Sequence, residues 1–179
     1  MREGGPIDVE VAGFRLVEVL GRMTPEVRGE IVGMWTGEGV LAPAEAQRRA
    51  AEVVLAVRAA DGTIAGVNTA YVQKAPGTAL DYWFYRMFLR PAHRGNWALP
   101  RAMFVHAIEV LRRHPHPSRP RGLVAIIENP RLMRKAAAAT IGELGATRIG
   151  RDAQGRDVWC VNFDGTVPVA PPGLLRPAD

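Results

Sequence analysis

Apolar and polar residues alternate through residues 14–20 (Phe-Arg-Leu-Val-Glu-Val-Leu), and this period of two predicts a half-buried strand. Thr24-Pro-Glu then carries the marks of a helix start, with Thr24 as N-cap and Pro25 in the first helical position. That helix is expected over 24–35, stopping near Gly37 and Gly39, and a second over 43–52, rich in Ala, Glu, Gln and Arg. Two β-branched or apolar runs, 53–60 and 63–74, flank Asp61-Gly62, the strongest short-range hairpin signal a sequence carries. Residues 80–90 form another strand, dense in aromatics and ended by Pro91, which lacks the donor a ladder needs. A helix over 97–113 shows Leu99, Met103, Ile108 and Leu111 on one side. The unbroken apolar run 123–127 predicts a strand covered on both faces. A helix from Pro130 to Gly145 and two strands, 146–151 and 157–163, complete the order, the latter joined by a turn at Gln154-Gly155. Residues 1–12, Gly- and acid-containing, read as a short lead-in.

Antiparallel runs interrupted by crossover helices imply an α/β chain of the α+β type: one mixed, mostly antiparallel sheet with helices on both faces. A single domain is expected over 1–165, followed by a Pro-rich tail over 166–179 with little to pack and expected to be disordered. No internal repeat is visible.

Composition narrows the partners. Hydrophobic residues make up 47% and charged residues 23% of the chain, which excludes global disorder. No apolar run is long enough to cross a bilayer, so no membrane partner is expected. The N-terminal residues hold Glu3, Asp8 and Glu10 in place of an apolar signal core, and one cysteine, Cys160, suits a reducing compartment; a cytoplasmic location is expected. The net charge of +5 comes almost wholly from arginine and attracts anions in general. Basic residues are not interleaved with aromatics as in single-strand binders, which places nucleic acid behind a phosphorylated small molecule; an RNA-associated protein is the weakest reading.

The segment 88–103 carries the most chemistry. A strand ends at Leu89-Arg90-Pro91, a loop holds Arg94-Gly95-Asn96, and a helix follows at once. Backbone N–H groups and the positive dipole end make such a helix start a phosphate site. This order resembles the GNAT acyltransferase superfamily, in which a strand is followed by Arg-Gly-x-Gly-x-Gly and an amphipathic helix. The resemblance implies a loop that cradles the pyrophosphate of acetyl-CoA or another acyl-CoA, through Arg94, Gly95, Asn96, Trp97 and Ala98. It also implies a strand whose main chain, at Met87 and Leu89, runs beside the pantetheine and thioester. Two family glycines fall on Trp97 and Leu99, and shifting the alignment so that Gly95 takes a glycine position rescues only one. Arg90, His93, Arg94 and Arg101 remain as anion partners.

The later segment 126–146 is similar to the same family, in which a strand leads to an Asn and then to a helix. Asn129 matches, and the resemblance implies that it touches the cofactor. The family's general-acid tyrosine has no counterpart: the two ways of counting reach Ile141 and Ala136. The resemblance covers roughly residues 50–163.

Three side chains are candidates for catalysis. Glu128 and Asp81 are the carboxylates near strand ends and each suits a general base for an amine acceptor. Tyr85 is placed to line an acyl or acceptor pocket. Each has a plainer account: Asp81 as a turn residue, Glu128 as an ion-pair partner of an arginine, Tyr85 as a packed tyrosine with one hydrogen bond. His106, His114 and His116 lack the spacing of a metal site, Cys160 reads as a small buried hydrophobe, and no nucleophilic triad is present; no metal is expected. The expected activity is transfer of an acetyl or other acyl group from acyl-CoA to a small-molecule or peptide amine, by direct attack in a ternary complex. The alternative is a GNAT-like protein without ordinary acetyl-CoA binding, serving as a scaffold or taking its acyl group from an acyl carrier protein. The oligomeric state, a homodimer included, is left open.

Overall fold

A computed structural model describes residues 5–75, 78–95 and 97–170, apart from the side chains of 135–137. The candidate Asn96 therefore lies outside the described residues, as do residues 171–179 of the expected tail.

The first strands are β1 (Asp8–Val11) and β2 (Phe14–Glu18), paired antiparallel. The short lead-in expected over 1–12 thus holds a strand in its second half. The reason is a two-residue turn, Ala12-Gly13, in which both residues take positive φ (52° and 82°), the geometry whose twist matches a hairpin. Helix α1 (Pro25–Gly37) begins as expected, with the Thr24 side chain accepting from the Val27 N–H. Helix α2 (Pro43–Arg49) passes into a short 3-10 turn over Ala50–Glu52. Strands β3 (Val53–Arg58) and β4 (Ile64–Lys74) form the hairpin signalled by Asp61-Gly62, and Gly62 supplies the left-handed residue that closes it.

Strand β5 (Asp81–Leu89) is followed by a 3-10 turn (Pro91–His93) and by α3 (Ala98–Arg113). Then come β6 (Gly122–Ile126), a 3-10 turn (Pro130–Met133), α4 (Lys135–Glu143), β7 (Thr147–Arg151) and β8 (Asp157–Asn162). The single helix expected from Pro130 to Gly145 is two pieces. Asn129 caps the first by accepting from the Arg131 N–H, and Arg134 is extended (ψ 149°), so the helical hydrogen bonds restart at Lys135.

The strands form one mixed sheet of order β1-β2-β3-β4-β5-β6-β8-β7. The pairs β1–β2, β2–β3, β3–β4, β6–β8 and β7–β8 are antiparallel and β5–β6 is parallel. A crossover of this length, carrying α3, is what a parallel pair requires. The chain divides into two compact units: the first comprises Met1–Ala70 and Met87–Leu111, the second Tyr71–Arg86 and Arg112–Asp179.

In the first unit the sheet is covered on both faces. Ala56 of β3 packs in a cluster with Ile31, Met34 and Trp35 of α1, while its neighbour Val57 packs with Leu99 and Met103 of α3. Successive strand residues point to opposite faces, so α1 and α3 lie on opposite sides. Between Val53 and Leu55 the β3–β4 register slips by one residue, and the Leu55 N–H is met by the Asn68 side chain at 2.9 Å. The Asn68 amide also donates to the Met103 carbonyl at 3.0 Å, tying β4 to α3 from a fully buried position. In the second unit, Tyr82 and Phe84 of β5 pack with Val124, Val158 and Cys160.

Candidate functional site

The candidate phosphate loop belongs wholly to the first unit. Strand β5 reaches it along a tightly fitted edge: the Arg90 N–H donates to the Ala65 carbonyl at 2.9 Å, and a Cβ built on Gly66 would stand 2.5 Å from the Phe88 carbonyl oxygen. Met87 and Leu89 belong to the apolar cluster that receives α3. The Arg94 Nε donates to the Leu89 carbonyl at 2.9 Å and its guanidinium stands 5.7 Å from the Phe88 ring centroid. One edge of Arg94 is thereby spent on the end of the strand, which fixes the loop's take-off. Arg90 is paired with Glu38 at 3.4 Å, and His93 meets the Phe14 ring edge-on.

Gly95 has φ +110° with nothing within 4 Å of a Cβ built on it, so its backbone conformation is what calls for glycine. Trp97 follows at the start of α3, and its carbonyl accepts from the Arg101 N–H at 3.2 Å. Its side chain is 44% exposed and so is not committed to the core. Leu99, two residues on, is fully buried instead. Ala98 opens the helix, and Pro100 in its first turn has no N–H to donate.

The remaining candidates belong to the second unit. Trp83, Phe84 and Tyr85 pair with Leu123, Val124 and Ala125 of the parallel strand β6, and β5 continues to Leu89 past the last of these pairs. Asp81 stands at the start of β5, where its carbonyl accepts from the Arg121 N–H at 2.8 Å and its carboxylate faces Lys74 at 3.7 Å. Glu128 lies past the other end of β6, its side chain 79% exposed and 3.6 Å from Arg156. In a parallel pair Asp81 is level with Arg121, seven residues before Glu128, which puts about 20 Å between the two carboxylates. They are not brought together. Tyr85, buried and level with Ala125, shares the Glu128 end of the sheet. Asn129 is exposed, and its side chain accepts from the Arg131 N–H at 3.0 Å.

Two features carry no signal in the linear sequence. Trp83 is buried between ring edges, with His116 at 5.2 Å and His114 at 6.1 Å between centroids, so these histidines pack on the strand. Asp157, 1% exposed, receives Arg148 and Arg151 on one carboxylate oxygen. Cys160 is buried as expected, and burial pushes its thiol up to about 12. Among the described residues no group of His, Cys, Asp and Glu could hold a metal ion, and no helix is long and apolar enough to cross a membrane.

Neither the family models nor the curated proteins provide a match to the sequence. Solved structures do match it. The GNAT domain of a Streptomyces lividans protein, named as S. lividans PAT, aligns over 88% of this chain and 96% of its own at TM-score 0.63 and 16% identity. This chain has the GNAT fold. A GNAT-family acetyltransferase from Listeria monocytogenes matches 87% of the chain and 99% of its own at TM-score 0.56 and 12% identity. A ribosomal-protein-S5-alanine acetyltransferase from Vibrio fischeri matches 89% and 99%, again at TM-score 0.56 and 12% identity. In the GNAT fold of this chain, the central parallel pair is β5–β6 and the crossover helix is α3. At these identities the likeness concerns the fold, whose order of strand, loop and helix over residues 81–113 is the one expected from the sequence.

Proposed function

We propose that this chain is an acyl-CoA-dependent N-acyltransferase. The observation that carries this reading is the strand, glycine turn and helix at 81–113, set in a GNAT fold with Gly95 in a conformation reserved for glycine. The pyrophosphate lies against the loop that begins at Arg94, with Gly95 and Trp97 offering N–H groups and the α3 dipole favouring the anion. Arg94, anchored on Leu89, keeps the rest of its guanidinium for phosphate oxygens. The main chain at Met87 and Leu89 runs beside the pantetheine, and Asn129 contacts the cofactor.

Chemistry follows from placement. The acceptor amine attacks the thioester carbonyl; the C–N bond forms, the C–S bond breaks, and CoA leaves as a thiolate. Holding both partners in one complex supplies most of the acceleration, with strand donors at the carbonyl oxygen. The amine's proton passes to Glu128 directly or through water. Glu128 is preferred to Asp81 because it shares its end of the sheet with Tyr85, which lines the acyl or acceptor pocket. Acceptor classes are small-molecule or peptide amines.

A second reading draws on a specific observation: bulky side chains at Trp97 and Leu99 replace two family glycines, and Leu99 is locked in the core. A GNAT-fold protein that binds no free acyl-CoA, or takes its acyl group from an acyl carrier protein, has that feature. Calorimetric titration with acetyl-CoA and longer acyl-CoAs separates the two. Binding of at least one is expected; no binding to any of them sinks the acyl-CoA reading.

A further inference from the structure

The strongest unassigned cluster lies in the second unit, on the face of the sheet that carries Tyr85. Directly paired strand residues share a face, so Tyr85, Ala125, Trp159 and Arg148 form one row across β5, β6, β8 and β7. Asp157, two residues from Trp159, lies on the same face. Residues 148 and 151 of a regular strand point opposite ways. Here the β7–β8 register shifts between Arg148 and Gly150, and the extra residue turns both arginines toward Asp157. Arg148 Nη2 and Arg151 Nε both contact the same oxygen, Oδ1, at 2.7 and 3.0 Å.

That arrangement is lopsided. Asp157 Oδ2, Arg148 Nε and Trp159 Nε1 are buried and have no hydrogen-bond partner among the described residues. Polar atoms left so are costly, and natural cores avoid them unless a water or ligand completes them. One acceptor and two donors are left unpartnered on residues that neighbour one another in the register. Two guanidiniums face one carboxylate, a surplus of one positive charge, and their side chains retain 25% and 34% exposure, so the cluster opens to solvent through them. Ala125, the smallest residue of the row, stands between Tyr85 and Trp159.

We infer that this cluster is a subsite for the acyl acceptor, and that the acceptor is an amine carrying its own carboxylate, an amino-acid-type substrate. The carboxylate takes the donors of Arg148 and Trp159 and balances the surplus charge, and an N–H of the ligand meets Asp157 Oδ2. Its use as an acceptor subsite rests on the acyltransferase reading; its ligand chemistry does not.

The test titrates the full chain, with and without acetyl-CoA, with individual L-amino acids and with the decarboxylated amine of each, followed by NMR. At least one amino acid is expected to bind, its decarboxylated amine about tenfold or more weaker. Arg148→Lys keeps a cation for Asp157 but has no guanidinium fork, and lowers that affinity about tenfold. Trp159→Phe keeps the ring and removes the N–H, and lowers it several-fold; circular dichroism verifies both folds, and either folded variant suffices. No amino acid bound, equal affinity for the decarboxylated amine, or undiminished affinity in the folded variants overturns the inference. Amino-acid binding without acyl-CoA binding upholds the subsite's ligand and removes the acyl-CoA-dependent reading. Acyl transfer equally efficient to amines with and without a carboxylate upholds that reading and overturns this one.

Discussion

The Nε of Arg94 donates to the main-chain carbonyl of Leu89, 2.9 Å away, so the first residue of the glycine turn is bound to the last residue of the strand before it. The contact ties Arg94 back to the residue five positions earlier and fixes where the loop leaves the strand. Removing it loosens the loop and withdraws a cation from the proposed pyrophosphate site. Arg94→Ala is expected to weaken acyl-CoA binding about five- to twentyfold, or about 1–2 kcal/mol, with little change in melting temperature. Calorimetry and thermal unfolding of the same samples check both halves.

Trp97 is partly exposed at the start of α3, where the resemblance drawn from the sequence expects glycine. Trp97→Gly is expected to leave stability within about 1 kcal/mol, since a helix's first turn tolerates glycine better than its middle. Acetyl-CoA affinity should rise, because the backbone gains room beside the phosphates. Unchanged affinity together with an unchanged donor preference would show that the indole does not shape the site.

Asn68 is the buried polar joint of the first unit, serving the Leu55 N–H and the Met103 carbonyl. Asn68→Leu has similar volume but leaves the Leu55 N–H at the register slip without its acceptor. A loss of about 2–3 kcal/mol is expected in urea unfolding. An unchanged midpoint would mean that the slip relaxes to regular pairing.

Burial raises the Cys160 thiol to about 12 from an ordinary 9. The folded state therefore favours the neutral thiol. Its contribution to stability is fully present below about pH 9 and is lost as pH rises toward 12, because the unfolded chain ionises first. Cys160→Ala should flatten the stability decline between pH 9 and pH 11. At pH 8 the native thiol should react with Ellman's reagent far more slowly than the unfolded one.

Strong local signals are legible in the chain itself. Thr24-Pro25 starts a helix, Asp61-Gly62 closes a hairpin, and the aromatic run before Pro91 is a strand leading through Arg94-Gly95 into a helix. Each depends on chemistry within a few residues. Strand β1 carries the same period of two, Asp8-Val9-Glu10-Val11, but over four residues only and beside a glycine-containing lead-in, so the signal is short and pairing with β2 completes it. The helix expected over 130–145 follows from Pro130 as a start, apolar residues such as Leu132, Met133 and Leu144 along it, and Gly145 as a stop, yet the Asn129 cap and the extended Arg134 divide it.

Sequence alone determined the order of strands and helices from β2 onward, the mixed sheet and the place of the glycine turn, because periodicity, proline and glycine act through the local backbone. The tertiary structure decided which side chains meet. It separates Asp81 from Glu128 by the length of a parallel strand, turns Arg94 back onto Leu89, and buries Leu99 while leaving Trp97 partly in solvent. It also gathers Arg148, Arg151 and Asp157 through a one-residue register shift. Such a shift depends on hydrogen bonds between strands rather than along them, and a linear pattern of residues carries no record of it.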